Sequence, residues 1–194
     1  MGVTEEPQKA KKKHVVRETL ILLVVGVGMA LLLQAFVVKS FFIPSESMEN
    51  TLLIGDRVSV NRLDGTAERG DIVVFKGWNG EDTIKRVLGV GGDKVVCCDS
   101  QSRITVNGVP LSEKSYLYPD DYPSGDKFSV TVPPGKLWLM GDHRSASADS
   151  RAHMKLPGGG WIDQNEVIGR AWAIYWPLSR VKLLSAPETF ANVR

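Results

Sequence analysis

Three short stretches of this chain hold residue types that could do chemistry. Pro44-Ser45-Glu46-Ser47-Met48 sets two hydroxyls one residue apart behind a proline. A serine hydroxyl is a poor nucleophile until a neighbouring base takes its proton. Thr83-Ile84-Lys85-Arg86-Val87 offers an uncommon base in Lys85. A free lysine has a pKa near ~10.4 and is a cation at neutral pH. Burial against apolar side chains disfavours that charge and lowers the value. The third stretch, Gly141 to Arg151, reads GDHRSASADSR and is dense in small residues, hydroxyls and paired charges. Taken singly, each has a plain alternative: a linker serine, a solvated strand lysine, and a polar turn with a local Asp149–Arg151 pair worth little if exposed.

The elements that must position these residues begin with Thr19 to Val38. This run carries no charge and a single polar amide, Gln34. About 20 apolar residues are what an α-helix needs to cross a bilayer core, and inside lipid such a run must be helical. The segment before it holds Lys9, Lys11, Lys12, Lys13 and Arg17, which favours a cytoplasmic N-terminus. The expected organisation is a cytoplasmic segment over 1–18, a transmembrane signal anchor over 19–38 and an extracytoplasmic domain over 39–194. A cleaved secretory signal fits less well, because the apolar run is long and no small-x-small site follows it directly.

Beyond the anchor the texture changes to short apolar runs divided by turn signals. Asp71 to Lys76 and Asp82 to Leu88 flank Asn79-Gly80, and Arg103 to Val106 and Val109 to Leu111 flank Asn107-Gly108. An Asn-Gly pair between β-type runs is a strong hairpin signal. Lys127 to Val132, Lys136 to Met140 and Arg170 to Trp176 extend the series. The expected fold is mainly β, an antiparallel-sheet domain preceded by one transmembrane helix. Alternation along the second run places Thr83, Lys85 and Val87 on one face, and Ile84, Arg86 and Leu88 on the other.

Composition excludes several classes. Twenty-four basic residues against 22 acidic ones leave a net charge of +2, too balanced for a nucleic-acid surface. Cys97 and Cys98 are too few for a zinc site, and His14, His143 and His153 lack metal-ligand spacing. Adjacent cysteines rarely pair, because the ring closed across one peptide bond is strained, so both read as strand residues. No metal and no cofactor is expected.

Together and in this order, the three stretches resemble the motifs of bacterial type I signal peptidases. Pro44 to Met48 is similar to the family's P-S-x-S-M, Lys85 to Asp93 to its K-R-V-x-G-x-x-G-D, and Gly141 to Arg151 to its G-D-N-R-x-x-S-x-D-S-R. Arg69 to Phe75 also matches a family stretch, and the likeness runs from about Arg17 to about Arg180. The resemblance implies Ser47 as acyl-forming nucleophile and Lys85 as its general base. It implies Ser45 as an oxyanion donor beside the Ser47 N–H, and Ser147 as a hydrogen-bond partner that orients Lys85. Asp149 and Arg151 would form a supporting pair, Asp142 would play a similar part, and Ile43, Met48, Leu52 and Ile84 would line shallow pockets for small side chains. His143 stands where the family more commonly has asparagine, and Asn50 where it often has proline.

The implied function is removal of signal peptides from exported preproteins at the outer face of the cytoplasmic membrane, after small-x-small sites. The expected partners are those preproteins and the lipid bilayer, with no nucleic acid. Two rivals stay open: a self-cleaving Ser/Lys regulatory protease, which would carry a DNA-binding domain in place of the anchor, and a non-catalytic anchored β-rich binding module.

Overall fold

The computed structural model describes residues 8–63 and 66–193 and, of these, the side chains outside 8–14 and 30–37. Contacts divide the chain after Val38. The first unit holds one helix, α1 (Gln8–Val37), which starts well before the expected anchor. Leu20 to Val25, Val27 and Met29 on it are all at least half exposed. Among the described residues, no helix is long and apolar enough to cross a membrane. The expected span continues into residues 30–37, whose side chains lie outside that description, as do residues 1–7 of the expected cytoplasmic segment.

The second unit is mainly antiparallel β. Its strands are β1 (Val38–Phe42), β2 (Arg57–Asn61), β3 (Ile72–Lys76), β4 (Asp82–Val90), β5 (Lys94–Cys97), β6 (Ile104–Val106), β7 (Val109–Pro110), β8 (Phe128–Thr131), β9 (Lys136–Met140), β10 (Ile162–Asp163), β11 (Val167–Trp176) and β12 (Lys182–Leu183). The larger sheet has the order β1-β2-β11-β3-β4-β9-β10, with β12 also on β11, and the smaller one the order β7-β6-β5-β8.

The two Asn-Gly turns connect neighbours as expected. The second, between β6 and β7, places Asn107 at φ 52° and Gly108 at φ 80°, the left-handed pair a two-residue hairpin needs. The late strand β11 inserts between β2 and β3, so the middle of the sheet is assembled from both ends of the domain.

The strand that carries Lys85 has neighbours on both sides, β3 and β9. Residues 85–89 of β4 are all buried, so both faces of this strand are covered. On one face Val87 packs with Val73, Phe75, Leu137 and Leu139. On the other, Ile84 borders a cluster of Ile43, Met48, Leu52, Val58, Val60, Ile72 and Val74. A third cluster joins the sheets through Leu88, Val95, Ile104, Trp138 and Met140.

Cys97 and Cys98 correct the sequence reading, for they form a disulfide. Strand β5 ends at Cys97, so Cys98 is released from the ladder and from the alternation that would point the two side chains apart.

Candidate active site

Ser47 sits on a 3-10 turn, Glu46–Met48, that follows β1 closely in sequence. Met48 and Ile43 anchor this segment in the apolar cluster, which fixes where the serine between them points. The loop from Gly141 to Arg151 leaves the end of β9, the neighbour of β4. Central strand, turn and loop therefore meet at one place.

There Lys85 Nζ donates to Ser47 Oγ at 2.6 Å, and both residues are buried. Among the described residues no carboxylate lies within ion-pair distance of Lys85. Burial pushes the ammonium's pKa down from its ordinary 10.5 to about 8, against an upward pull from the Asp149 and Asp142 carboxylates. A lysine tuned this way is partly neutral near physiological pH and can accept a proton.

Ser45 is exposed, with its Oγ 3.4 Å from Ser47 Oγ. The Ser47 N–H belongs to the first turn of a 3-10 helix, where the helix supplies no acceptor. A hydroxyl and a free N–H therefore flank the Ser47 hydroxyl.

Asp149 is held by Arg151 through Nε at 2.9 Å and Nη2 at 2.8 Å, and it accepts from the Gly141 N–H at 3.0 Å. Burial raises the Asp149 carboxyl's pKa, but the Arg151 guanidinium and the Gly141 N–H outweigh that and hold it below the usual carboxylate range. Asp142 takes a bidentate pair from Arg86, Nε at 2.8 Å and Nη2 at 2.7 Å, and a bond from the Thr51 hydroxyl. Arg86 also donates to the Gly70 carbonyl at 2.8 Å and lies 4.5 Å from the Tyr116 ring centre. Gly141 has no room for a side chain: a Cβ there would overlap the Ser47 carbonyl and the Ser147 hydroxyl.

Two expectations are met differently. The Ser147 hydroxyl is buried near Asp149, whose carboxyl pKa it helps to lower, and among the described residues the expected bond to Lys85 is not formed. It packs instead against the Cα of Gly141, while Lys85 Nζ is engaged by Ser47. Ile43, Met48 and Leu52 do gather near Ile84, but all three are buried in the core and only Ile84 is partly exposed.

Residues that sequence reasoning passed over complete the framework. Arg144 pairs with Glu113, both buried, and donates to the Gly141 carbonyl at 2.9 Å and the Pro123 carbonyl at 2.6 Å. Burial alone would lower the Arg144 pKa, but the Glu113 carboxylate outweighs it and raises the value. The Tyr116 hydroxyl donates to Glu113 at 2.7 Å. For Arg144 the signal in the sequence was a density of charge in a loop otherwise made of small residues, and Glu113 and Tyr116 carry none.

Residues 16–176 match the family model described as signal peptidase, peptidase S26. The chain belongs to this family. It is a serine endopeptidase by that membership, with the serine–lysine arrangement consistent with it. A signal peptidase I of Mycobacterium tuberculosis is 38% identical over 231 residues, covering 91% of this chain and 78% of the relative. A signal peptidase IB of Staphylococcus aureus is 34% identical over 175 residues, covering 81% and 87%. A probable signal peptidase I of Mycobacterium leprae is 34% identical over 241 residues, covering 93% and 81%. Within a peptidase S26 framework, the expected reacting groups Ser47 and Lys85 are the pair found in contact here.

Proposed function

We propose that this chain removes N-terminal signal peptides from exported preproteins, cutting after small-x-small sites through an acyl-enzyme on Ser47. The observation that carries the reading is a buried lysine, with no ion-pair partner among the described residues, 2.6 Å from a buried serine hydroxyl. Neutral Lys85 takes the Ser47 proton as Oγ bonds to the scissile carbonyl carbon. The oxyanion that forms receives hydrogen bonds from Ser45 Oγ and the Ser47 N–H. As the C–N bond breaks, the Lys85 ammonium returns the proton to the leaving amine. A water deprotonated by Lys85 then attacks the Ser47 ester, the Lys85 ammonium returns the proton to Ser47 Oγ as the C–O bond breaks, and the signal peptide leaves as its free carboxylate.

Asp142, Asp149 and Arg151 hold the loop that backs the dyad, and Ser147 fills space beside it. Ile84 offers a surface to a small substrate side chain, with Ile43, Met48 and Leu52 as the floor beneath it.

The anchor reading rests on the uncharged run of residues 19–38 and on the exposed apolar residues of α1. On that reading the N-terminus is cytoplasmic, the β domain extracytoplasmic, and enzyme and substrate helices share one bilayer. The test is cleavage of a membrane-embedded preprotein by full-length enzyme, by Ser47→Ala and by a shortened chain starting near Lys39. Ser47→Ala should lose about 10⁴-fold or more in kcat. The shortened chain should still cut soluble peptides but fall behind on the embedded preprotein. A Ser47→Ala rate near wild type removes the nucleophile assignment, and a shortened chain equal to full length on the embedded preprotein removes the anchor's role.

A further inference from the structure

The turn that carries Ser47 also carries two carboxylates that the reaction does not use. Glu46 opens the 3-10 turn and Glu49 caps it. Residues three apart eclipse one another in such a turn, which brings both carboxylates to one side. His143, from the loop after β9, completes a group in which one ligand atom from each residue lies within 4.8 Å of the others. The histidine is well fixed: its backbone N–H donates to the Ser47 carbonyl at 3.2 Å, and its ring stacks on Tyr118 with centroids 3.9 Å apart. Its Nδ1 is buried and, among the described residues, has no hydrogen-bond partner. That nitrogen lies 3.9 Å from Glu49 Oε2. The gap is too long for a hydrogen bond and a few tenths of an ångström longer than the ~3.3–3.6 Å between two ligands of one tetrahedral cation held at roughly 2.0–2.2 Å, so a small side-chain shift brings both onto one ion.

We propose that Glu46, Glu49 and His143 bind a divalent transition-metal cation, Zn²⁺ by the chemistry of the donors. One imidazole nitrogen with two carboxylate oxygens suits zinc, whereas magnesium and calcium favour oxygen ligands throughout. Three protein ligands leave a fourth position for water or a peptide group. The cation would neutralise two adjacent carboxylates and give the buried Nδ1 a partner. It would also tie both ends of the Ser47 turn to the loop that holds Asp142 and Asp149. Ser47 chemistry needs no metal, so the site is one of control or stability, and it stands apart from the acyl-transfer reading.

The test is calorimetric titration of the full-length protein in detergent micelles with ZnCl₂ alone, with thermal unfolding followed in parallel. Wild type should bind one ion saturably and unfold at higher temperature when loaded. His143→Asn should weaken binding by about tenfold or more, and Glu49→Gln likewise. Glu46→Gln, at an exposed position, serves if either of those fails to fold. Ser47→Ala should bind as wild type does, whatever its activity, so failure of the metal site and failure of the dyad are told apart. No saturable Zn²⁺ binding by wild type, or binding unchanged in the His143 and Glu46 variants, overturns the proposal.

Discussion

On β4, Lys85 and Arg86 carry adjacent cations into the interior, and only 4% and 2% of their surfaces stay exposed. The Arg86 side meets a carboxylate in fork geometry, a backbone carbonyl and an aromatic face. Burial opposes its charge, but Asp142 outweighs burial and the guanidinium's pKa rises. The Lys85 side meets a neutral hydroxyl, with Asp149 and Asp142 attracting it only from beyond ion-pair distance. One strand thus buries two cations with opposite results. A compensated cation is structure, and an uncompensated one is a base. The difference lies in how each neighbourhood spends its carboxylates: Asp142 is taken by Arg86 and Asp149 by Arg151, so neither is left to pair with Lys85.

The largest effect should come from breaking the uncompensated side. Lys85→Ala should lower kcat on a preprotein by about 10⁴-fold or more, with no loss of fold. Groups that act as one unit are not additive, so Lys85→Ala combined with Ser47→Ala should be no slower than either alone. Steady-state rates on purified enzyme check this, and a Lys85→Ala enzyme near wild-type kcat would end the division of roles between the two cations.

Breaking the compensated side should instead cost stability. Arg86→Met leaves Asp142 buried without its guanidinium, which typically costs about 3–5 kcal/mol. Adding Asp142→Leu removes the orphaned charge and should recover much of that loss. Chemical denaturation of the single and double variants measures both. An Arg86→Met protein within ~1 kcal/mol of wild type would show that the fork is ornamental.

Much of this division was legible in the residues. Local signals read well: β3, β4, β6, β8 and β9 begin and end within a residue or two of the alternating runs, because strand propensity and Asn-Gly turns act over short range. The co-occurrence of Ser47, Lys85 and the Gly141 loop also read through, since the resemblance fixed their order. What stayed hidden depends on sheet order and on partners far apart in the chain. No local pattern announces that β11 lies between β2 and β3, or that Glu113 reaches Arg144. The short edge strands β10 and β12 have too few residues to show a period. Alternation did place Lys85 and Arg86 on opposite faces. It could not say that both faces would be covered, which is what turns one of them into a base.

The smallest effect is the one that tests the comparison in sign. A buried lysine whose folded pKa is about 8, against ~10.4 when unfolded, weakens folding. Below pH ~8 the amine is protonated in both states, and the folded protein bears the full cost of a buried cation. As pH rises from ~8 to ~10.4, the folded state sheds its proton first, and the cost fades. Above both values it is gone. Lys85→Met keeps the length and removes the charge, so it should be more stable than wild type by about 3 kcal/mol near pH 7, the free-energy equivalent of that pKa difference. The advantage should shrink through the same window and vanish by about pH 10.5. Other groups titrating there shift both proteins alike, so the difference between urea midpoints isolates Lys85. Arg86→Met must behave oppositely, less stable than wild type and without this window, because the guanidinium does not titrate there. In kinetics the same pKa should appear as an ascending limb of kcat/KM that levels near pH 8, because only the neutral amine accepts the serine proton. A Lys85→Met protein that is less stable than wild type at pH 7 would mean that the Ser47 hydroxyl compensates the ammonium fully, and the contrast between the two sides of β4 would fail.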